Sequence, residues 1–175
     1  MGKLGEKAIN EHEGGISKTL HPGNTVIKIN SLSVKTEPFA GDPLNIIINA
    51  EGKPLKGFEG FFIDNEKPEL GSYEGQIGKI RATEYAFSTR NVDNKSIDRD
   101  ESALEWLQRL CKTIGNTEWL KANYASYDTI EELCEAMNKA KLFKDLWFNV
   151  CIAGKSYTSS KGFLNYDLYL PWFSR

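Results

Sequence analysis

Apolar and polar positions alternate along much of this chain with the period of two that marks strands, and the alternation changes phase early. In "TVIKINSLSVKTE" (residues 25–37) the apolar side falls on Ile27 and Ile29, then on Leu32 and Val34. A strand that changes phase contains an extra residue, so the pattern predicts one long first strand bent by a bulge. "TEPFAGDP" follows as a loop with two prolines and a glycine. "LNIIINAE" is the second strand, "GKPLKG" its turn, "FEGFFID" the third strand and "NEKPELGSYEG" a second loop. "QIGKIRATEYAFSTR" (Gln76 to Arg90) reads as an added strand paired to the third. Near the end, "DLWFNVCIA" puts Leu146, Phe148, Val150 and Ile152 on one face. Trp147 therefore lies under a helix or points outward. "FLNYDLYLPW" does the same with Leu164, Tyr166, Leu168 and Leu170, and "GKSYTSSKG" between them is a long polar hairpin loop.

The middle of the chain changes to helical spacing. Asp98 with Glu101 forms a capping-box-like start, and Leu104, Leu107, Leu110, Cys111 and Ile114 follow as a core-facing stripe, with Gly115 as the stop. A second helix starts at Asp128 with Glu131, and Ile130, Leu133, Cys134 and Met137 form its stripe. The predicted fold is mainly β with inserted helices, an α+β chain. Its order matches an OB-like five-stranded Greek-key barrel with one or two helices between strands three and four. A sheet packed on two helices gives a similar order. Residues 1–23 are polar and glycine-rich and read as a flexible N-terminal arm, leaving 24–175 as one domain.

Composition narrows the functional classes. A net charge of −2 disfavours a purely electrostatic nucleic-acid binder, so any anion site is a local patch. Three widely spaced cysteines without a CxxC read as reduced thiols in a cytoplasmic protein. No apolar run reaches the length of a membrane span, and "MGKLGEKAINEHEGG" has no signal-peptide core. His12 and His21 lie outside any zinc-ligand spacing, and no GxSxG, HExxH or phosphate-cradling loop occurs. "GQIGK" is too short for such a loop and lacks the following Ser or Thr. The expectation is a protein that is not an enzyme, with no cofactor and no metal.

The added strand carries the candidate chemistry. Read as continuous, it lines Lys79, Arg81, Thr83, Tyr85 and Phe87 along one face. On an OB barrel, ligands cross the face of the second and third strands, between the first and last loops. Those loops supply Phe39 and then Lys155, Tyr157 and Lys161. Cations that track phosphates and rings that stack on unpaired bases are what single-stranded nucleic acid requires. The expected nucleic-acid-binding residues are thus Phe39, Lys79, Arg81, Tyr85, Phe87, Lys155, Tyr157 and Lys161. The competing reading packs Tyr85 and Phe87 into the core and leaves the lysines as solubilising charges. Phe58, Phe61 and Phe62 read mostly as core, with Phe61 the one that can face outward.

The segments "LHPGNTVIKI", "LNIIINAEGKP", "FEGFFID", "GSYEGQIGKI" and "VCIAGKSY…KGFLNYDLYLP", taken in order, resemble the OB-type single-stranded DNA-binding proteins encoded by tailed bacteriophages. The resemblance spans roughly residues 18–171. It implies sequence-independent binding of DNA exposed during phage replication and recombination, in the host cytoplasm. Many replicative single-strand binders end in an acidic tail that recruits partners; this chain ends "LPWFSR". Trp172 and Phe173 instead suggest a protein-docking end, and homo-oligomerisation is left open. The alternative expectation is a structural or assembly module of a phage particle that binds protein through its barrel. A further one is an enzyme assembled from distant carboxylates, which would show metal-dependent stability.

Overall fold

The computed structural model describes residues 19–53, 76–162 and 164–171. In chain order the elements are β1 (Gly23–Thr36), β2 (Leu44–Lys53), β3 (Gln76–Arg81), β4 (Arg90–Val92), β5 (Lys95–Ile97), α1 (Arg99–Thr113), α2 (Thr117–Asn123), α3 (Ile130–Lys139), β6 (Trp147–Thr158) and β7 (Leu164–Tyr169). A single 3-10 turn, Tyr124–Ser126, follows α2. Five strands close into a barrel in the order β1-β2-β3-β7-β6. Neighbours are antiparallel except β3 and β7, which run parallel. This is the OB-like barrel that the element order predicts, with the helices inserted between the third and fourth barrel strands.

β1 serves both ends of the barrel. Val26 to Thr36 pair with β2, and Gly23 to Lys28 pair with β6. The register slips between Ile29 and Ser31, so Asn30 is the extra residue and the phase switch read in the sequence is a bulge. On either side of it Ile27, Ile29 and Leu32 all reach the core. Ile46, Ile48 and Ala50 of β2, Ile80 of β3, Ile152 of β6 and Leu168 of β7 fill the same interior. Beyond the bulge β1 has lost β6 as a partner. There α3 takes over: Asn138 Oδ1 accepts from the Leu32 N–H at 2.9 Å and its Nδ2 donates to the Leu32 carbonyl at 2.8 Å.

The third barrel strand is the segment expected to be an added one: β2 pairs directly with Gln76–Arg81. The sequence-predicted strand at 58–64, with Phe58, Phe61 and Phe62, lies outside the described residues. The arm assigned to residues 1–23 gives up its last five to the barrel. Thr19 forms a parallel bridge with Ile77, and the Leu20 N–H donates to the Ile77 carbonyl at 3.0 Å. Leu20 is fully buried beneath Gly78, where a Cβ would come within 3.0 Å of it. Pro22 sits against Gly154 of β6, where a Cβ would meet its Cγ at 2.6 Å. Two side-chain-free positions thus admit the segment that precedes β1.

The helices pack one face each. α1 buries Ala103, Leu107 and Cys111, and α3 buries Ile130, Leu133, Cys134, Ala136 and Met137. α1 begins after Asp98, as expected, but the Asp98 side chain makes no cap bond; it accepts from Thr89 Oγ1 at 3.3 Å instead. α3 begins one residue later than the pattern suggested. Thr129 Oγ1 accepts from the Glu132 N–H at 3.1 Å, and Glu132 Oε2 accepts from the Asp128 N–H at 3.0 Å. Among the described residues no helix is long and apolar enough to cross a membrane.

Candidate nucleic-acid interface

The predicted strand from Gln76 to Arg90 ends early, and that break builds the site. β3 stops at Arg81. The chain stays anchored to β2 at both sides of a bend: Ala82 N–H donates to the Ile46 carbonyl at 2.9 Å, and Phe87 exchanges two backbone bonds with Leu44 at 2.8 and 2.9 Å. Between these anchors residues 83–86 bow outward. Thr83 Oγ1 donates to the Tyr85 carbonyl at 2.6 Å, and Arg81 Nη1 donates to the Glu84 carbonyl. These local bonds fix the bend.

The bend breaks the two-residue phase, which separates Tyr85 from Phe87. Tyr85 is 72% exposed, and Phe87 is 7% exposed and belongs to the core. The expectation that Phe87 lines a binding face is therefore corrected: its paired backbone turns the ring inward against the end of β2. The common face predicted for five residues holds only for Lys79 and Arg81, which project outward from β3 on either side of buried Ile80.

Tyr85 arrives over β6. Lys155 Nζ lies 5.0 Å from the Tyr85 ring centroid and 5.8 Å from that of Tyr169 on β7. Arg81 Cζ lies 5.6 Å from the same Tyr169 ring. All three distances are within the range of cation–π attraction. Both cations are also held by carboxylates. Lys155 Nζ is 3.0 Å from Glu84 Oε1. Arg81 donates from Nε to Asp167 Oδ1 at 3.1 Å and from Nη2 to Oδ2 at 2.7 Å. The hydrogen bond from Lys155 holds the Glu84 carboxyl below its ordinary value of 4.5, and the same contact raises the lysine. Two cations face two anions, so this part of the surface is formally neutral and is dominated by its rings.

The remaining predicted residues spread outward from this cluster. Tyr157 stands two residues beyond Lys155 on β6, opposite Asn165 of β7, and is 54% exposed. Lys79 is exposed on β3 opposite Asn49 of β2, and has no ion pair among the described residues. Lys161 is exposed in the β6–β7 hairpin, where Gly162 N–H donates to the Ser159 carbonyl. Phe39 is 67% exposed in the β1–β2 loop. The structure thus joins Tyr85 and Lys155 by direct contact, links Arg81 to them through Tyr169 and Glu84, places Lys79 and Tyr157 on β3 and β6, and leaves Phe39 and Lys161 on the flanking loops. Trp172 and Phe173 lie outside the described residues.

Tyr169, Glu84 and Asp167 are the members that sequence reasoning missed. Tyr169 and Asp167 alternate out of phase with buried Leu168, so the period of β7 already carried the signal. Glu84 carried none, because its position depends on the bend. On the opposite flank Lys28 lies 5.5 Å from the Trp147 ring and 3.0 Å from Glu51, so Trp147 faces outward. Among the described residues no three His, Cys, Asp or Glu side chains converge as metal ligands. No protein-family model, curated protein or solved structure matches this chain.

Proposed function

We propose that this protein binds single-stranded DNA, with little sequence preference, across the outer face of β3, β7 and β6. One observation carries the reading: an exposed tyrosine on a fixed bend and a second tyrosine on β7 gather within 5.8 Å of one lysine ammonium. Such rings accept any base, because every base has a stacking face, while exposed Lys79 on β3, without an ion pair among the described residues, is the cation left for a phosphate. The OB-like barrel supports the reading as the usual carrier of such a face. The resemblance of the sequence segments to phage-encoded binders suggests the setting: DNA laid bare in replication or recombination within a host cell, coated without chemical change and without a cofactor.

The experiment is fluorescence anisotropy with a labelled oligo-dT of about 15 nucleotides and a duplex of equal length. The single strand binds and the duplex competes poorly. Tyr85→Ala and Tyr169→Ala each weaken binding roughly 5- to 150-fold, the worth of one stacked base. Lys79→Gln lowers the slope of log K against log salt by about 0.7, the share of one phosphate contact. Absence of single-strand binding at about 100 μM protein, the weak end of non-specific affinity, refutes the reading.

A second reading is an assembly module that binds another protein. It is favoured by an apolar slot of about 240 Å³ between α1 and the barrel, lined by Ile29, Trp106, Leu110, Phe148, Val150 and Leu170 among others. It predicts no affinity for oligonucleotides in the same titration.

A further inference from the structure

We infer that Glu84 sets the kind of ligand this face accepts: by occupying Lys155 it makes the surface a stacking platform for unpaired bases and closes it to ligands recognised by phosphate charge alone. The inference rests on the reading of this face as a single-strand binder.

The two cations of the cluster are not equivalent. Arg81 donates two hydrogen bonds to Asp167 and a third to the Glu84 carbonyl, and its side chain is only 19% exposed. Withdrawing it from these partners would also remove the bond to the Glu84 carbonyl that helps hold the bend presenting Tyr85. Arg81 is therefore a positioning residue. Lys155 makes a single contact with the Glu84 carboxylate, and both side chains reach solvent, at 51% and 34% exposure. Its stem is flexible and its charge is a point, so it can exchange one oxyanion for another without disturbing the backbone. A carboxylate oxygen at 3.0 Å from the ammonium stands where a phosphate oxygen would stand.

A duplex presents phosphates and hides the faces of its bases. At this surface its phosphates must displace Glu84, and no ring contact repays the exchange. A single strand gains ring stacking while Lys155 remains with Glu84. Glu84 thereby discriminates between the two by charge, while Tyr85 and Tyr169 supply the affinity.

Glu84→Gln tests this in the full chain, with Glu135→Gln, an exposed acid on α3, as the control for equal change of net charge. Anisotropy titrations are run on oligo-dT and on duplex between about 50 and 200 mM salt. Freeing Lys155 for one phosphate steepens the salt slope by about 0.7 for the single strand and about 0.9 for the duplex, so the gain over wild type at the lower salt is larger by roughly 2.5-fold and 3.5-fold respectively. The duplex gains more than the single strand, so the preference narrows. Glu135→Gln changes neither slope nor preference. If wild type binds oligo-dT and Glu84→Gln matches it in slope and preference, the role of Glu84 is overturned and the binding face stands. If Glu135→Gln matches Glu84→Gln, the effect is general charge and the role is again overturned. If wild type and variant both fail to bind oligo-dT while keeping the same Tm, the binding face itself is wrong.

Discussion

Replacing Asn138 with alanine removes both hydrogen bonds by which α3 replaces a strand at Leu32. Leu32 pairs with Ile48 of β2, but pairing of β1 to β6 has already ended at Lys28. Its N–H and carbonyl face outward and meet Asn138 at 2.9 and 2.8 Å. Each bond contributes about 1 kcal/mol net, and somewhat more if its orphaned partner stays shielded from water. The two together amount to about 2–3 kcal/mol, against which alanine's helix propensity returns about 0.5 kcal/mol. The net loss of about 1.5–2.5 kcal/mol corresponds to a fall in Tm of about 3–10 °C for a chain of this size. Calorimetry and urea unfolding read both quantities, with Lys139→Ala on the exposed side of α3 as reference. Asn138→Asp keeps the acceptor for the Leu32 N–H but sets a charge against its carbonyl. Its deficit shrinks as pH falls through the ordinary aspartate range near about 4, because the protonated acid can donate again. If Asn138→Ala lies within about 0.5 kcal/mol of Lys139→Ala, the helix is not standing in for a strand.

Two more outcomes follow from packing. Gly154→Ala drives a methyl to 2.6 Å from Pro22 Cγ, with Leu168 Cδ2 and Tyr166 Cβ both at 3.3 Å. It destabilises by about 1–3 kcal/mol, and the double variant with Pro22→Ala loses less than the sum of the two. In the folded protein a thiol reagent at mildly alkaline pH modifies Cys151 rapidly and the other two cysteines only upon unfolding. Cys151 is exposed, whereas burial raises the Cys111 thiol to about 11 and the Cys134 thiol to about 12. Three equally fast thiols would refute that ordering.

The architecture was legible wherever one periodicity held along an element. The slip from Ile29 to Leu32 located the bulge, and the alternation from Phe148 to Ile152 gave β6 its inward face. The stripes of α1 and α3 fixed their buried sides. Reading failed where a pattern continued in the sequence but the backbone did not follow. From Lys79 to Phe87 the alternation runs on without interruption, yet the hydroxyl of Thr83 and the guanidinium of Arg81 hold a bend that sends Tyr85 out and Phe87 in. Nothing local distinguishes those two rings. Leu20 and Pro22 were unreadable for another reason: their places depend on Gly78 and Gly154, distant in sequence. α2 was passed over because it buries one residue, Leu120, too few to show a stripe. The β4–β5 hairpin is three residues a side around Asp93 and Asn94, both at positive φ, a signal short enough to be lost in a polar stretch.

The parallel contact of β3 with β7 spans two residue pairs, Ile80 with Leu168 and Arg81 with Tyr169, fewer than any other join in the barrel. The ion pair from Arg81 to Asp167 crosses the same line. A cylinder opens first along its least-stitched edge, and here that edge runs through the middle of the proposed binding face. Under the proposed binding, a DNA strand laid over Tyr85 and Tyr169 would touch both banks and act as a clasp. Occupancy and mechanical integrity then rise together, so amide exchange along this edge slows on loading more than anywhere else in the molecule.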